Sequence, residues 1–346
     1  MTPTGGCESR GTGDTLVPVR PSIAFLVLAH RNGPQVARLV RRLRTDVPDS
    51  SVVVRQDHRT LDVSNLLPYD LGHVYLRDDG GPSEWGDWSL VETAMEALTW
   101  INTRLPYDWV VCLSGQDYPT QHLSQLQELL ATTDADGFLD CQPLDRPLDI
   151  KWLRYHYRWC QLPHPGGRLS VRYWLDPKLW QLVTAANSLV GEPAPFALWG
   201  YPRGLPTRFG VRRRHTPFSV QYPCWTGSAW WTLRRSTAEY LVHEYRTNPF
   251  LTKYYRRCVL PEESYFHTVL RNRPGVRLGH DLHYVEWNRE ESQPYVFGSE
   301  DLDDIVRSGK PFVRKVDSSV DVDLLDLLDQ RALRPDDGTQ GVVADP

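Results

Sequence analysis

Long hydrophobic runs are missing from this 346-residue chain. The longest near its start, Ile23-Ala24-Phe25-Leu26-Val27-Leu28-Ala29, has seven residues, whereas a membrane helix needs about 20. The run is also short for a secretory signal and has no small-residue cleavage pattern behind it. Cysteine is sparse, with six residues at 7, 112, 141, 160, 224 and 258. No pair has C-x-x-C spacing and no finger-like Cys/His set exists, which excludes the usual zinc and redox motifs. We read all six as free thiols, an expectation that implies a reducing compartment, the cytoplasm. Lysine occurs only at 151, 178, 253, 310 and 315, so arginine supplies nearly all of the 39 basic residues. Positive charge is not in excess, because 43 acidic residues bring the net charge to −4. That balance argues against a nucleic-acid binder built on Arg208, Arg212, Arg213 and Arg214. Gly-x-Gly-x-x-Gly, P-loop, Gly-x-Ser-x-Gly and zinc motifs are all absent.

Aromatic residues are plentiful, with 13 Trp and 16 Tyr. Their faces suit sugar rings and bases, although a hydrophobic core is the ordinary use of most of them. A composition 40% hydrophobic and 24% charged is globular and excludes collagen-like and disordered classes.

The pattern along the chain predicts strands over 22–29, 51–55, 73–76, 109–113 and 137–140. Helices are predicted over 35–44, 89–105, 124–130, 236–245 and 261–271, with an acidic amphipathic helix over 323–333. The first run is apolar at every position, as in a strand buried on both faces. Alternating strands and helices with short connections predict an α/β domain with a mainly parallel sheet. Ligands of such sheets lie at the C-terminal strand ends. Those ends hold His30-Arg31-Asn32, Asp57-His58-Arg59 and Ser114-Gly115-Gln116-Asp117. Residues 1–20 and 336–346 read as flexible tails around one domain over 21–335. The domain is expected to divide at about residue 140, into halves over about 21–140 and 141–335.

Four segments could carry chemistry. In Pro261-Glu262-Glu263-Ser264-Tyr265-Phe266-His267, Pro and Glu suit a helix start, and the positive helix end would keep one carboxylate ionised as a general base. Arg314 and Lys315 follow a short extended segment. Side chains of neighbours there point to opposite faces, so both could grip one diphosphate only if the backbone bends. In Trp85-Gly86-Asp87-Trp88-Ser89-Leu90-Val91-Glu92, Ser89 and Glu92 fit a capping box. In Ser114-Gly115-Gln116-Asp117-Tyr118-Pro119 a strand end bears one aspartate where many nucleotide-sugar enzymes carry a metal-holding D-x-D. The D-x-D strings at Asp134/Asp136, Asp301/Asp303 and Asp321/Asp323 lie before a strand or in acidic surface stretches, and we do not read them as sites.

Taken in order, six segments from about Ile23 to Leu328 resemble the core-2/I-branching family of glycosyltransferases, which includes the peptide O-xylosyltransferases. They are Leu26–His30, Trp85–Val91, Leu113–Pro119, Thr226-Gly227-Ser228-Ala229-Trp230-Trp231, Pro261–Leu270 and Phe312–Lys315. The stretch Pro-Glu-Glu-Ser-Tyr-Phe-His-Thr-Val-Leu is more similar to the xylosyltransferase branch.

The resemblance implies a GT-A-like nucleotide-sugar-binding fold. It implies inverting transfer of a sugar, N-acetylglucosamine or xylose, from a UDP-sugar to an acceptor hydroxyl of a glycan, peptide or secondary metabolite. No metal or other cofactor is implied. Glu263 matches the family's general base. Arg314 and Lys315 match its diphosphate-binding pair, with His30, Arg31, Asp57, Trp85 and Asp117 on the donor side. Trp230, Glu262 and Trp287 match the acceptor side. Animal members are membrane-anchored and disulfide-rich, so this chain is expected to be a soluble bacterial member. A non-catalytic carbohydrate- or nucleotide-sugar-binding protein on the same fold is the alternative.

Overall fold

The computed structural model describes residues 20–144, 150–161, 181, 194–199, 208–288 and 293–333. The N-terminal part runs through strand β1 (Ile23–Ala29), helix α1 (Gly33–Asp46), strands β2 (Ser51–Gln56) and β3 (Val74–Arg77), helix α2 (Trp88–Arg104), strands β4 (Trp109–Ser114) and β5 (Asp117–Pro119), helix α3 (Ser124–Thr132) and strand β6 (Gly137–Phe138). A middle part follows, with β7 (Gln142–Pro143), α4 (Ile150–His156), β8 (Tyr157–Gln161), β9 (Phe196–Trp199) and β10 (Arg208–Arg212). The remainder holds β11 (Trp225–Thr226), β12 (Thr232–Arg234), α5 (Arg235–Thr247), α6 (Pro249–Tyr255), α7 (Tyr265–Arg271), β13 (Leu278–Gly279), β14 (His283–Val285), the hairpin β15 (Trp287–Asn288) and β16 (Gln293–Pro294), α8 (Leu302–Arg307), β17 (Phe312–Arg314) and α9 (Asp323–Ala332).

The expected α/β architecture is present. A central sheet has strand order β13-β6-β12-β4-β1-β2-β3. β1 pairs in parallel with β2 and β4, and β2 with β3, while β12 runs antiparallel between β4 and β6. Period-two alternation sends Phe25 and Val27 into one core with Leu39 of α1 and Leu325 of α9. Ala24 and Leu26 enter the other, with Leu98 of α2 and Leu241 of α5. Covering both faces is what lets β1 be apolar throughout. Helix α1 starts where Asn32 Oδ1 accepts the Gln35 amide at 3.3 Å, with Pro34 in its first turn. Among the described residues no helix is long and apolar enough to cross a membrane.

A second, three-stranded sheet, β14-β17-β5, determines the site. Its β17–β5 register is antiparallel and sets Arg314 opposite Asp117. Gln35 fastens it to the main sheet, donating from Nε2 to the Gly115 carbonyl (2.9 Å) and the Val316 carbonyl (3.1 Å). The sequence signalled none of β5, β12 or β14, each only three residues long.

Two local expectations need correction. Helix α2 is capped by Asp87, whose Oδ1 accepts the Ser89 amide at 3.0 Å; the Ser89/Glu92 capping box does not form. Ser89 Oγ accepts the Glu84 amide (3.0 Å), and Glu92 pairs with Arg256. Residues 261–271 do not make one helix either. Pro261–Glu263 is a 3-10 turn, the chain breaks at Ser264 (φ −142°), and α7 begins at Tyr265. The Ser264 hydroxyl bonds the Trp225 carbonyl at 2.7 Å and lies 2.9 Å from the Tyr255 hydroxyl, tertiary partners that hold the break open. One aspartate of each D-x-D string serves backbone amides: Asp136 accepts from Arg277, Asp301 from Gly298, and Asp321 from Ser299 and Leu324. The five described cysteines are unpaired, and Cys7 lies outside the described residues.

Leu113 of β4 is fully buried in the first core. Leu113→Ala should cost about 2–5 kcal/mol, read as a lower urea midpoint with unchanged m-value.

Candidate active site

Two centres form, one at the strand ends and one at the turn before α7. In the first, the guanidinium of Arg314 leaves β17 and its Nη1 meets Asp117 Oδ1 at 2.6 Å and the Ser114 hydroxyl. Its carbon sits 4.3 Å from the ring centroid of Trp230, a cation–π seat. Asp117 is fully buried. Its Oδ2 accepts the Ser114 amide at 2.6 Å and lies 3.6 Å from His283 Nε2. Burial opposes its ionisation, but Arg314, His283 and the Ser114 amide outweigh that and hold it at about 2. Asp117, expected on the donor side, has its oxygens taken by Arg314, Ser114 and His283.

His30, at the end of β1, lies where several of the expected donor-side residues meet. Atoms packed around the imidazole, then Arg31, Lys315 and Arg314, lower its pKa, and Asp57 opposes them. Arg314 and Lys315 are both close enough to His30 to act on its charge. Their shared peptide bond is cis, and the Lys315 amide donates to the Tyr295 carbonyl at 3.3 Å. Asp57 at the end of β2 is gripped by Arg59 (Nη2 to Oδ2 2.8 Å, Nε to Oδ1 3.1 Å), which holds its carboxyl at about 2. Arg31 reaches Asp317 at 2.7 Å, so it braces the segment after β17.

The second centre is built on Leu260, whose left-handed backbone (φ 51°) costs roughly 1–2 kcal/mol for a non-glycine residue. Its amide donates to the Gly86 carbonyl (3.1 Å), and its carbonyl accepts from the Tyr155 hydroxyl (3.0 Å). Gly86, at φ 74°, occupies a conformation that side chains resist. The Trp85-Gly86 turn is thus pinned against the carboxylate turn, and Trp85 itself is 48% exposed.

Glu262 is buried, and its Oε2 has no hydrogen-bond partner among the described residues. Burial and the neighbouring charge of Glu263 push its pKa up to about 8. Glu263 is partly buried, with Oε2 2.7 Å from Arg154 Nη1. Burial raises its pKa, and Arg154 and then Lys151 pull the other way. The helix-end argument for an ionised Glu263 therefore fails: α7 starts two residues later, and Arg154 supplies the favourable charge. Arg154 also lies 5.1 Å above the Trp199 ring.

One short segment touches both centres. The Glu263 carbonyl accepts from the Gly227 amide (2.9 Å) and the Thr226 hydroxyl (2.8 Å), and Trp230 carries Arg314. Gly227 and Trp230 are three residues apart, a backbone span of at most ~11 Å, so one short segment links the carboxylate turn to the seat of the cation. A methyl group on Gly227 would fall 1.9 Å from the Asp140 carbonyl oxygen, so this close approach requires glycine. Trp230, expected on the acceptor side, lies under the donor-side cation. Trp287, at 59% exposure, stands in the β15–β16 hairpin, next to the Tyr295 that bonds Lys315.

Sequence reading missed Arg154, Asp281 and His283. Arg154 lies in a stretch without clear periodicity. Asp281 lies two residues before His283, which opens β14, and its Oδ1 accepts the His283 amide at 3.2 Å; that spacing was the available signal.

Residues 207–306 match the family described as Branch, Core-2/I-Branching enzyme, a stretch that contains Glu262, Glu263 and His283. Xylosyltransferase 2 of Rattus norvegicus is 32% identical over 268 residues, covering 71% of this chain and 26% of that protein. Xylosyltransferase 1 of Canis lupus familiaris is 25% identical over 343 residues, covering 90% of this chain and 30% of that protein. The chain thus spans less than a third of the length of these relatives. A crystal structure of a putative glucose-1-phosphate thymidylyltransferase from Bacillus anthracis in complex with a sucrose covers 75% of this chain and 86% of its own, at 9% identity and a TM-score of 0.32, too faint a likeness to carry an argument. Residues 207–306 thus match the Core-2/I-branching enzyme family, and the chain is similar to xylosyltransferases over most of its length.

Proposed function

We propose that the protein transfers a sugar, xylose or N-acetylglucosamine, from a UDP-sugar to an acceptor hydroxyl with inversion and without a metal ion. One observation carries the reading: the 226–231 segment holds the carbonyl of Glu263 at one end and seats Arg314 on Trp230 at the other. A carboxylate and a cation fixed by one rigid segment suit an in-line displacement, in which a base serves one face of the anomeric carbon and a cation the other.

The acceptor oxygen attacks the anomeric carbon, the bond from that carbon to the phosphate oxygen breaks, and the acceptor proton passes to Glu263. We assign this proton to Oε1, because Arg154 holds Oε2. Arg154 also favours Glu263 as the ionised member of the pair, leaving Glu262 as the protonated one. The charge that develops on UDP is met by Arg314 and Lys315. Fixed cations in a low-dielectric cleft stabilise such charge without reorganising. His30 and Asp57 at the strand ends face the nucleotide, and the exposed faces of Trp85 and Trp287 offer apolar surfaces to sugar rings. The unpaired cysteines support a reducing compartment.

Glu263→Gln should lower kcat by about 10²–10⁴-fold while UDP binding, measured by calorimetry, is kept; unchanged turnover would remove Glu263 from the base role. Activity should persist in excess EDTA, and activity lost there but restored by Mn²⁺ would contradict the metal-free reading.

Glu262→Gln resembles the protonated acid and should be far milder in rate. Its effect on stability has a definite sign. With a folded-state pKa of about 8 against an ordinary 4.5, wild-type Glu262 keeps a proton that the unfolded chain releases. Stability from this group therefore falls as pH rises from 4.5 to 8. The Tm of Glu262→Gln should decline less than that of the wild type between pH 5 and 8; parallel curves would show Glu262 ionised in the fold.

A further inference from the structure

One buried ionisable group on the donor side has no part in the mechanism above. The His283 side chain is 1% exposed; its Nδ1 lies 2.8 Å from Asp281 Oδ1 and its Nε2 lies 3.6 Å from Asp117 Oδ2. Each ring nitrogen thus faces a carboxylate oxygen. A neutral imidazole carries one N–H, so its bare nitrogen would turn a lone pair towards a negative charge. Only the imidazolium suits both neighbours. Phe312 stacks on the ring at 5.4 Å, and Trp230 lies 6.4 Å away on another side.

Other ionisable groups packed around this cluster do not upset the assignment. Lys310 Nζ donates to the Asp281 carbonyl at 2.5 Å, adding a cation beyond Asp281. Burial pushes His267, which feels Asp281, down to about 4, and raises the Cys112 thiol beside Asp117, so both are neutral near pH 7. Burial disfavours the His283 cation as well, but Asp281 and Asp117 prevail and hold it at about 9.

The consequence concerns Arg314. Asp117 lies 2.6 Å from the guanidinium, and with His283 neutral its charge would be balanced by Arg314 alone. The four groups would then carry a net negative charge, with little attraction for a diphosphate. We propose that His283, as an imidazolium, is a positioning residue for the nucleotide donor: it shares the charge of Asp117, so that Arg314, seated on Trp230, turns unspent positive charge towards the donor diphosphate. Signs alternate along Asp281, His283, Asp117, Arg314 and the phosphate, and burial strengthens each link. The inference rests on the reading that Arg314 holds the diphosphate.

Calorimetric titration with UDP, and with uridine as the phosphate-free probe, tests it in the wild type and in His283→Gln, Asp281→Asn and Arg314→Gln. The Gln variant keeps an amide donor near Asp117 but no charge. It should bind UDP about tenfold more weakly at pH 7, with uridine binding unchanged. Asp281→Asn removes the contact that keeps the imidazole charged. Its UDP affinity should fall as pH rises through neutrality, where the wild type stays flat between pH 7 and 8. If folded His283→Gln binds UDP as the wild type does while Arg314→Gln does not, the role of His283 is overturned and the reading of Arg314 stands. If Arg314→Gln itself binds UDP normally, the underlying reading fails. Should His283→Gln not fold, a flat pH profile in Asp281→Asn overturns the proposal.

Discussion

Asp117 and Arg314 face each other across the β5–β17 ladder, the carboxylate fully buried and the guanidinium at its rim. A carboxylate taken out of water costs several kcal/mol unless it is paired and its remaining lone pairs are satisfied. Here Arg314, the Ser114 amide and hydroxyl, and His283 meet that demand together. The same contacts fix the direction of Arg314. Asp117 Oδ1 and the Ser114 hydroxyl restrain its Nη1, Trp230 underlies its plane, and the strand register sets its root. An arginine with this many constraints pays little conformational entropy when an anion arrives. The small second sheet is the device that places a cation at the C-terminal edge of the large parallel one.

The carboxylate turn is held in a different way. Tyr255, Ser264 and Thr268 join hydroxyls beneath it, and Ser264 and Thr268 bond the backbone of Trp225, so β11 is fastened to the start of α7. Above it, Gly86 and Tyr155 fix both backbone groups of Leu260 in its left-handed conformation. Strain of this kind persists only where the surroundings over-determine it. Two adjacent carboxylates then meet different environments: Glu262 is buried with its Oε2 unpartnered among the described residues, and Glu263 is paired directly with Arg154. Unlike surroundings give neighbouring acids unlike protonation, which is how two carboxylates divide their work.

Much of this was legible in the sequence wherever the signal is local. The apolar run at Ile23–Ala29 announces a doubly covered strand, and the strand-end clusters announce where a ligand would lie. Glu263, Arg314 and Lys315 were found as motifs, because each motif sits on one short segment. What escaped depends on distant partners. Asp87 rather than Ser89 caps α2, since Ser89 Oγ is taken by the Glu84 amide. The helix expected over 261–271 breaks at Ser264 because the Trp225 carbonyl and Tyr255 hydroxyl bind its side chain. A helix dipole seemed sufficient to keep Glu263 ionised, but burial raises both glutamates, and the compensating Arg154 comes from an aperiodic stretch more than 100 residues earlier in the chain. Asp117 looked like a ligand-facing acid at a strand end, and its complete burial is a property of the second sheet, in which β5 and β14 were too short to read.

The central claim is that side-chain cations at the end of β17 hold the departing nucleotide without help from an ion. A crystal structure of the protein soaked with UDP in the presence of EDTA tests it directly. The account predicts both phosphates within about 3 Å of the Arg314 guanidinium and the Lys315 ammonium, with Asp117 still buried behind Arg314. Phosphates seated away from β17, or bound there only when manganese replaces EDTA and bridges them to aspartates, would contradict it.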